Sequence, residues 1–154
     1  MNTPHQVEIG APRESVFGVG EKRLQSIERI HLLSVGSLDR SFVLHDALHG
    51  APPHHHSVAW SCVELWMIAD YRELWIIPRR EVIQLSILHN TLSSFEVDDA
   101  ARLIRHRWPS ADILLVSTGE DCLDRALYDD RVAPVASPDV LLTAIDRLLQ
   151  RRRE

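Results

Sequence analysis

Short apolar runs alternate with amphipathic stretches along most of this chain of 154 residues. Residues 30–35 form an apolar run that ends at a Gly-Ser pair, and residues 113–116 form another that ends at Ser-Thr-Gly. Apolar runs of about four to eight residues between small polar residues are typical of strands that are buried on both faces. The two runs therefore predict inner strands of a parallel sheet.

Three stretches place apolar side chains at helical spacing. The first covers residues 38–49 and is closed by Gly-Ala-Pro-Pro, and the second begins near residue 95 behind a serine cap and stops at a Trp-Pro pair. The third follows Ser137 and Pro138, a cap and first-turn proline that are typical of a helix start. The predicted buried face of this third helix consists of Val140, Leu141, Ala144, Ile145, Leu148 and Leu149.

The remaining pattern is mixed. It predicts strands over residues 58–60, 82–88 and 132–136 and a short acidic helix over residues 120–128. Between residues 61 and 80, a helix over 62–71 and a strand over 64–68 both fit, and the choice stays open. Because strands and helices alternate about five times, we expect an α/β fold with three layers, an open, mainly parallel five-stranded sheet with helices on both faces.

The charge balance and the domain organisation narrow the classes of function. The chain has 17 Lys and Arg residues against 22 Asp and Glu residues, a net charge of −5, which disfavours a nucleic-acid partner. Lys22, the only lysine, lies outside the periodic region, so lysine chemistry in the folded core is nearly excluded. We expect a flexible arm over residues 1–26, one domain over 27–150 and a basic tail over 151–154.

The two cysteines and the amino end indicate the compartment. Cys62 and Cys122 have no paired spacing, so neither a disulfide framework nor a zinc ribbon is expected. The amino end lacks the apolar block of a signal peptide, and no apolar run reaches bilayer length. We therefore expect a cytoplasmic protein without a membrane partner or a cofactor.

Two segments resemble the receiver domain of bacterial two-component response regulators. QLSILHNTLSSFEVDDAARLIRHRWPSADILLVST resembles the receiver's third strand, third helix and fourth strand, and PVASPDVLLTAIDRLL resembles its fifth strand and last helix. The resemblance covers about residues 30–149. It implies a flavodoxin-like, receiver-like fold and a place in phosphorelay signal transduction.

The same resemblance exposes missing functional groups. A working receiver is phosphorylated on an aspartate at the end of its third strand, where this chain has His89. An acidic pair at the end of the first strand holds Mg²⁺, and here it is replaced by Gly36 and Ser37. Ser137 stands at the receiver's lysine position, whereas Ser117 does match its hydroxyl position.

The resemblance thus implies a pseudo-receiver, a signalling module without enzymatic activity that acts by protein–protein interaction and not by phosphorylation. Working receivers commonly form dimers or meet partners through their last elements, so residues 123–149 are the expected contact surface for a homodimer or another protein. The candidate site is a degenerate receiver pocket that comprises Gly36, Ser37, His89, Asn90, Ser117, Thr118 and Ser137.

Two other hypotheses come from histidines. His45 and His49 share one helix face at metal-ligand spacing, in a string similar to the HExxH motif of zinc proteases with Asp in place of Glu. The three histidines His54, His55 and His56 could add a ligand, which would make the chain a metal-binding protein or metal-dependent hydrolase. Alternatively, His89 could itself accept a phosphoryl group in a phosphorelay.

Aromatic residues leave one further choice open. Trp60, Trp66 and Trp75 cluster in the stretch that is hardest to interpret. They predict either core packing or an exposed aromatic patch for a partner.

Overall fold

Five parallel strands form the centre of the molecule. A computed structural model describes residues 28–50, 60–119 and 123–154, apart from the side chain of Ser61. Residues 1–26, together with predicted positions 58 and 59, lie outside the described residues. In chain order the strands are β1 (Ile30–Val35), β2 (Val63–Ile68), β3 (Leu85–Leu88), β4 (Asp112–Val116) and β5 (Asp130–Val132). Their spatial order is β2-β1-β3-β4-β5, and every neighbouring pair is parallel.

Helices cover both faces of this sheet. Helices α1 (Leu38–Gly50) and α3 (Pro138–Arg151) share one face, while α2 (Ser94–Arg107) and a 3₁₀ helix at Tyr71–Trp75 cover the other. Two further 3₁₀ helices span Trp60–Cys62 and Arg125–Leu127. The expected fold class, a three-layer open parallel five-stranded sheet, is confirmed. None of the helices in the described part of the chain is long and apolar enough to cross a membrane.

Alternating side chains along the inner strands divide the core in two. Leu32 of β1 and Ile87 of β3 point towards α1 and α3, whereas Leu33 and Leu88 pack with α2 on the other face. All four side chains are fully buried. This two-residue period decides that the residue after Leu88 points back towards α1.

The helix starts follow the sequence closely. Ser93 caps α2 in a capping box with Glu96, in which each side chain bonds the other residue's backbone N–H. The third helix begins at Pro138 as expected, but the Ser137 side chain makes no capping hydrogen bond. Proline at the first helical position and the backbone turn before it are sufficient to start α3.

Two predicted elements near the carboxyl end are wrong. Within the described part of residues 120–128, the acidic helix is a single 3₁₀ turn at Arg125–Leu127. The Asp124 carboxylate caps this turn by accepting from the Ala126 N–H, and the turn ends at once because Tyr128 adopts an extended conformation with φ −134° and ψ 156°. The last strand lies at 130–132 and not at 132–136, because Pro134 has no N–H and the Ala136 N–H closes a turn on Ala133.

The structure decides the open choices in residues 61–88 and gives a contact for the carboxyl end. Residues 63–68 form strand β2, the second of the two alternatives, and β3 begins at Leu85, three residues later than expected. The three clustered tryptophans separate, since Trp60 is buried, Trp66 is half-buried and Trp75 is exposed. In the segment expected as a basic tail, the Arg152 guanidinium reaches back to the Gln84 carbonyl at 2.6 Å.

The turn from β1 to α1 requires glycine. Gly36 has a φ of +135°, a conformation that L side chains rarely adopt, and its N–H bonds the Ile68 carbonyl at 2.9 Å. A Cβ at this position would lie 2.8 Å from Thr91 Oγ1 and 2.9 Å from His89 Cβ. Any side chain here would therefore push β1 and β3 apart at their carboxyl ends.

We predict that Gly36→Ala lowers the free energy of unfolding by about 1–3 kcal/mol, through backbone strain and overpacking. Urea denaturation followed by circular dichroism measures this. Gly50→Ala is the matched control, because a Cβ on Gly50 meets nothing within 4 Å and alanine is the better helix residue by up to about 1 kcal/mol. Equal losses in the two variants would contradict the assigned turn.

Candidate functional site

His89 occupies the carboxyl end of the central strand β3. Its backbone N–H donates to the Val35 carbonyl at 3.0 Å, which extends the pairing of β1 with β3 by one residue. Only 3% of His89 is exposed, and the side chain continues the face of Ile87 towards α1. The residue is therefore part of the packed structure beneath the first helix.

Two buried serines join His89 to that helix. His89 Nε2 lies 2.7 Å from Ser34 Oγ, and Ser34 Oγ lies 2.8 Å from Ser41 Oγ on α1. The Ser41 hydroxyl donates to the Ser37 carbonyl at 3.3 Å. All three contacts are hydrogen bonds only if Nε2–H donates to Ser34 and Ser34 donates to Ser41. In this arrangement Nδ1 of His89 carries no proton.

Burial also keeps the His89 imidazole neutral. Desolvation, with a smaller repulsion from the Arg40 guanidinium, lowers the pKa of His89 from 6.5 to about 4. No carboxylate of the described residues forms an ion pair with this ring. Near neutral pH the carboxyl end of β3 therefore holds an uncharged side chain.

A cleft of about 160 Å³ opens beside His89. We call it the His89 cleft; its polar lining is Arg40, His89 and Asn90, and its apolar walls come from α1, the start of α3 and residues 132–136. The carboxyl ends of β3, β4 and β5 meet here, as expected for functional sites of open parallel sheets. The cleft thus combines an apolar interior, a buried imidazole and one exposed cation.

The seven predicted site residues lie around the ends of these strands, but only His89 and Asn90 line the cleft. Gly36 packs against His89, and the N–H of Ser37 donates to Thr91 Oγ1 at 2.9 Å. The remaining three residues lie at the end of β4 and before α3. Ser117 is buried and accepts from the Gly119 N–H at 3.1 Å, and Thr118 beside it is exposed. Ser137 directly precedes α3.

Sequence reasoning missed Ser34, Ser41 and Arg40. A signal for the serines existed, because Ser34 interrupts the apolar run of β1 and Ser41 shares the buried stripe of α1 with Leu44 and Leu48. Polar side chains on buried faces need hydrogen-bond partners, so two such serines predict a buried polar contact. That the third member is His89, 55 residues after Ser34, depends on strand pairing.

The donor set does not fit the Mg²⁺ ion that the receiver resemblance implies. Magnesium is bound through carboxylates in sites of this kind, and Gly36, Ser37 and His89 supply none. More broadly, no group of three His, Cys, Asp or Glu side chains within residues 28–50, 60–119 and 123–154 is placed to hold a metal.

Two histidines on α1, His45 and His49, lie together without a third metal ligand among the described residues. The rings of His45 and His49 lie 4.1 Å apart between centroids, tilted by 35°, so the predicted shared helix face is present. His54, His55 and His56, the proposed additional ligands, lie outside the described residues.

Comparisons with known proteins identify the fold. A two-component response regulator from Clostridium difficile superposes with a TM-score of 0.64 at 14% identity, covering 82% of this chain and 100% of that one. A chemotaxis response regulator of Vibrio cholerae gives 0.61 at 15% identity, covering 78% and 98%. A response regulator from Thermotoga maritima in complex with Mg²⁺ and beryllium fluoride gives 0.59 at 17% identity, covering 78% and 98%.

The fold is that of a response-regulator receiver domain. No protein-family model matches the sequence, and a search of curated proteins finds no match. The structural likeness therefore establishes the flavodoxin-like receiver architecture, while activity depends on the residues at the strand ends.

The buried imidazole predicts a loss of stability in acid. Because the pKa of His89 is about 4 in the folded chain against 6.5 for an exposed imidazole, the unfolded chain binds this proton more readily. Stability from the neutral ring is fully present above about pH 6.5 and is lost as the pH falls towards 4. We expect the free energy of unfolding to fall by about 2 kcal/mol more in the parent than in His89→Phe between pH 7 and about pH 4.5.

Urea denaturation of both proteins at the two pH values measures this difference. Other titrating groups cancel in the comparison because both proteins contain them. A parent and a variant with the same pH dependence would show that His89 is not the titrating group.

Proposed function

We propose that this chain is a receiver-like signalling module of the cytoplasm that acts by protein–protein interaction, not as an enzyme and not by phosphorylation. The observation that carries the proposal is the state of His89. At the acceptor position of a receiver fold stands a neutral imidazole, buried and hydrogen-bonded to Ser34.

The surroundings of His89 support the loss of acyl-phosphate chemistry. A phosphoryl group on a receiver is stabilised by an acidic pair with Mg²⁺ and by a lysine. The backbone of Gly36 is packed so tightly against His89 and Thr91 that no carboxylate side chain fits at that position. Ser137 at the lysine position has no positive charge, so the site has neither the acceptor nor the groups that would stabilise the product.

The same contacts argue against His89 as a phosphohistidine. Nε2 is committed to Ser34, which leaves only Nδ1 as an acceptor, and no carboxylate among the described residues forms an ion pair with the ring that would raise its nucleophilicity. A low pKa and a buried position further weaken the imidazole as a nucleophile towards a phosphoryl donor. The chain therefore fits a module that has kept the receiver architecture without its phosphoryl transfer.

Exposed valines support the expected contact surface over residues 123–149. Val135 is 94% exposed in the turn before α3. The sequence pattern predicts that Val140 lies on the buried face of α3, but this prediction is wrong, because Val140 is 50% exposed in the first turn and Leu142 is buried instead. Contact of these two valines with a partner would remove their apolar area from water. We propose that this surface mediates contact between two copies of the chain.

Incubation with acetyl phosphate and Mg²⁺ tests the loss of phosphorylation. We expect no added phosphoryl mass by intact mass spectrometry at neutral pH, and none by ³¹P NMR, under conditions that phosphorylate a working receiver. The His89→Asp variant is expected to stay unmodified as well, because the acidic pair and the lysine are still missing. A phosphoryl adduct on the parent chain would overturn the proposal.

Sedimentation velocity over a wide concentration range tests the homodimer. We expect the parent chain to associate and the double variant Val135→Glu/Val140→Glu to remain monomeric, since two buried carboxylates cost several kcal/mol. Val82→Glu is the matched control, because Val82 is 58% exposed but lies outside residues 123–149. A monomeric parent at every concentration would contradict the homodimer.

A further inference from the structure

The His89 cleft has the size and the walls of a site for one small ring. Its volume of about 160 Å³ is close to the space that holds benzene in a protein interior. Val43 and Ala47 of α1 form one wall, and Pro138 and Leu141 of α3 form the other. An apolar body between these walls would displace water from surfaces that make no hydrogen bonds.

The inner end of the cleft offers a hydrogen-bond acceptor without a partner among the described residues. His89 lines the cleft and is only 3% exposed. Its Nε2–H donates to Ser34 Oγ. Its Nδ1 carries the free lone pair, and none of the hydrogen bonds among residues 28–50, 60–119 and 123–154 involves that atom. An occupant of the cleft that carries an O–H or N–H donor would give this nitrogen a hydrogen-bond partner.

The rim of the cleft offers one cation. Arg40 is exposed, lines the cleft and lies close enough to His89 to contribute to the lowering of its pKa. It forms no ion pair with any carboxylate in the described part of the chain. A guanidinium without a partner at the edge of an apolar cleft favours a carboxylate on the occupant.

We propose that the His89 cleft binds a small aromatic carboxylate with a hydroxyl group opposite the carboxylate. The carboxylate pairs with Arg40, the ring lies between α1 and α3, and the hydroxyl donates to Nδ1 of His89. A cationic ligand would be repelled by Arg40, and a long acyl chain would exceed the cleft. A dianion such as phosphate would meet a single cation and apolar walls.

Because the cleft lies between α1 and α3, its occupant contacts both helices and the turn that contains Val135. Binding would therefore order the two helices against each other. This site does not depend on the proposed function. The cleft is present whether or not the chain is phosphorylated.

Titration with 4-hydroxybenzoate, followed by ¹H–¹⁵N NMR, tests the site. We expect saturable shifts at amides that line the cleft, such as those of Asn90, Ala133 and Ala136. Arg40→Gln should weaken binding about tenfold, as for the loss of a charge-assisted hydrogen bond. Arg153→Gln, a charge-matched change in the exposed carboxyl end, should leave the affinity unchanged.

Two further comparisons test the contributions of the cleft volume and of the ligand's hydroxyl group to binding. Ala47→Leu fills the cleft and should abolish binding while the spectrum remains that of the folded protein. Benzoate, which lacks the donor, should bind the parent more weakly than 4-hydroxybenzoate, and His89→Phe should remove that preference. The acetyl phosphate experiment is unaffected by any of these results.

Three outcomes would overturn the site: no saturable shifts at millimolar ligand, shifts confined to residues away from the cleft, or equal affinities for Arg40→Gln and Arg153→Gln. Retained preference for the hydroxyl in His89→Phe would show that Nδ1 is not its partner.

Discussion

The structure depends on the buried hydrogen bond between His89 and Ser34. It links β3 to β1 at the end of the sheet and, through Ser41, ties both strands to α1. Each of these side chains lies in a region where an unpaired polar atom would cost about 1–3 kcal/mol. The three residues therefore hold one another in place, and the carboxyl ends of the central strands form a packed corner.

That corner explains why the site is so different from a phosphorylation site on the same fold. A carboxylate in the place of His89 would need positive charge and water around it, whereas the imidazole is neutral and can be sealed beneath a helix. Gly36 follows from the same packing, because His89 and Thr91 occupy the space of its missing side chain. The corner therefore consists of uncharged side chains that are joined by hydrogen bonds.

Much of the fold was predictable from local pattern. The inner strands are short apolar runs, α2 and α3 have a clear amphipathic pattern, and Ser93 with Glu96 marks the start of α2 in the sequence itself. The predictions that were wrong come from the last third of the chain. There, the extended conformation of Tyr128 ends the expected helix after one 3₁₀ turn, and the residues around Pro134 form a turn instead of a strand.

The sequence by itself determined the alternation of strands with helices, and it determined that the residues after the inner strands, Gly36, Ser37 and His89, include neither a carboxylate nor a lysine, because both are properties of residue type and spacing. Only the tertiary structure decided that His89 bonds Ser34 with Nε2 and that the same residue lines a cleft together with Arg40. Such contacts join residues far apart in the chain, here 55 positions, and they arise from strand register and helix packing, which no local pattern records.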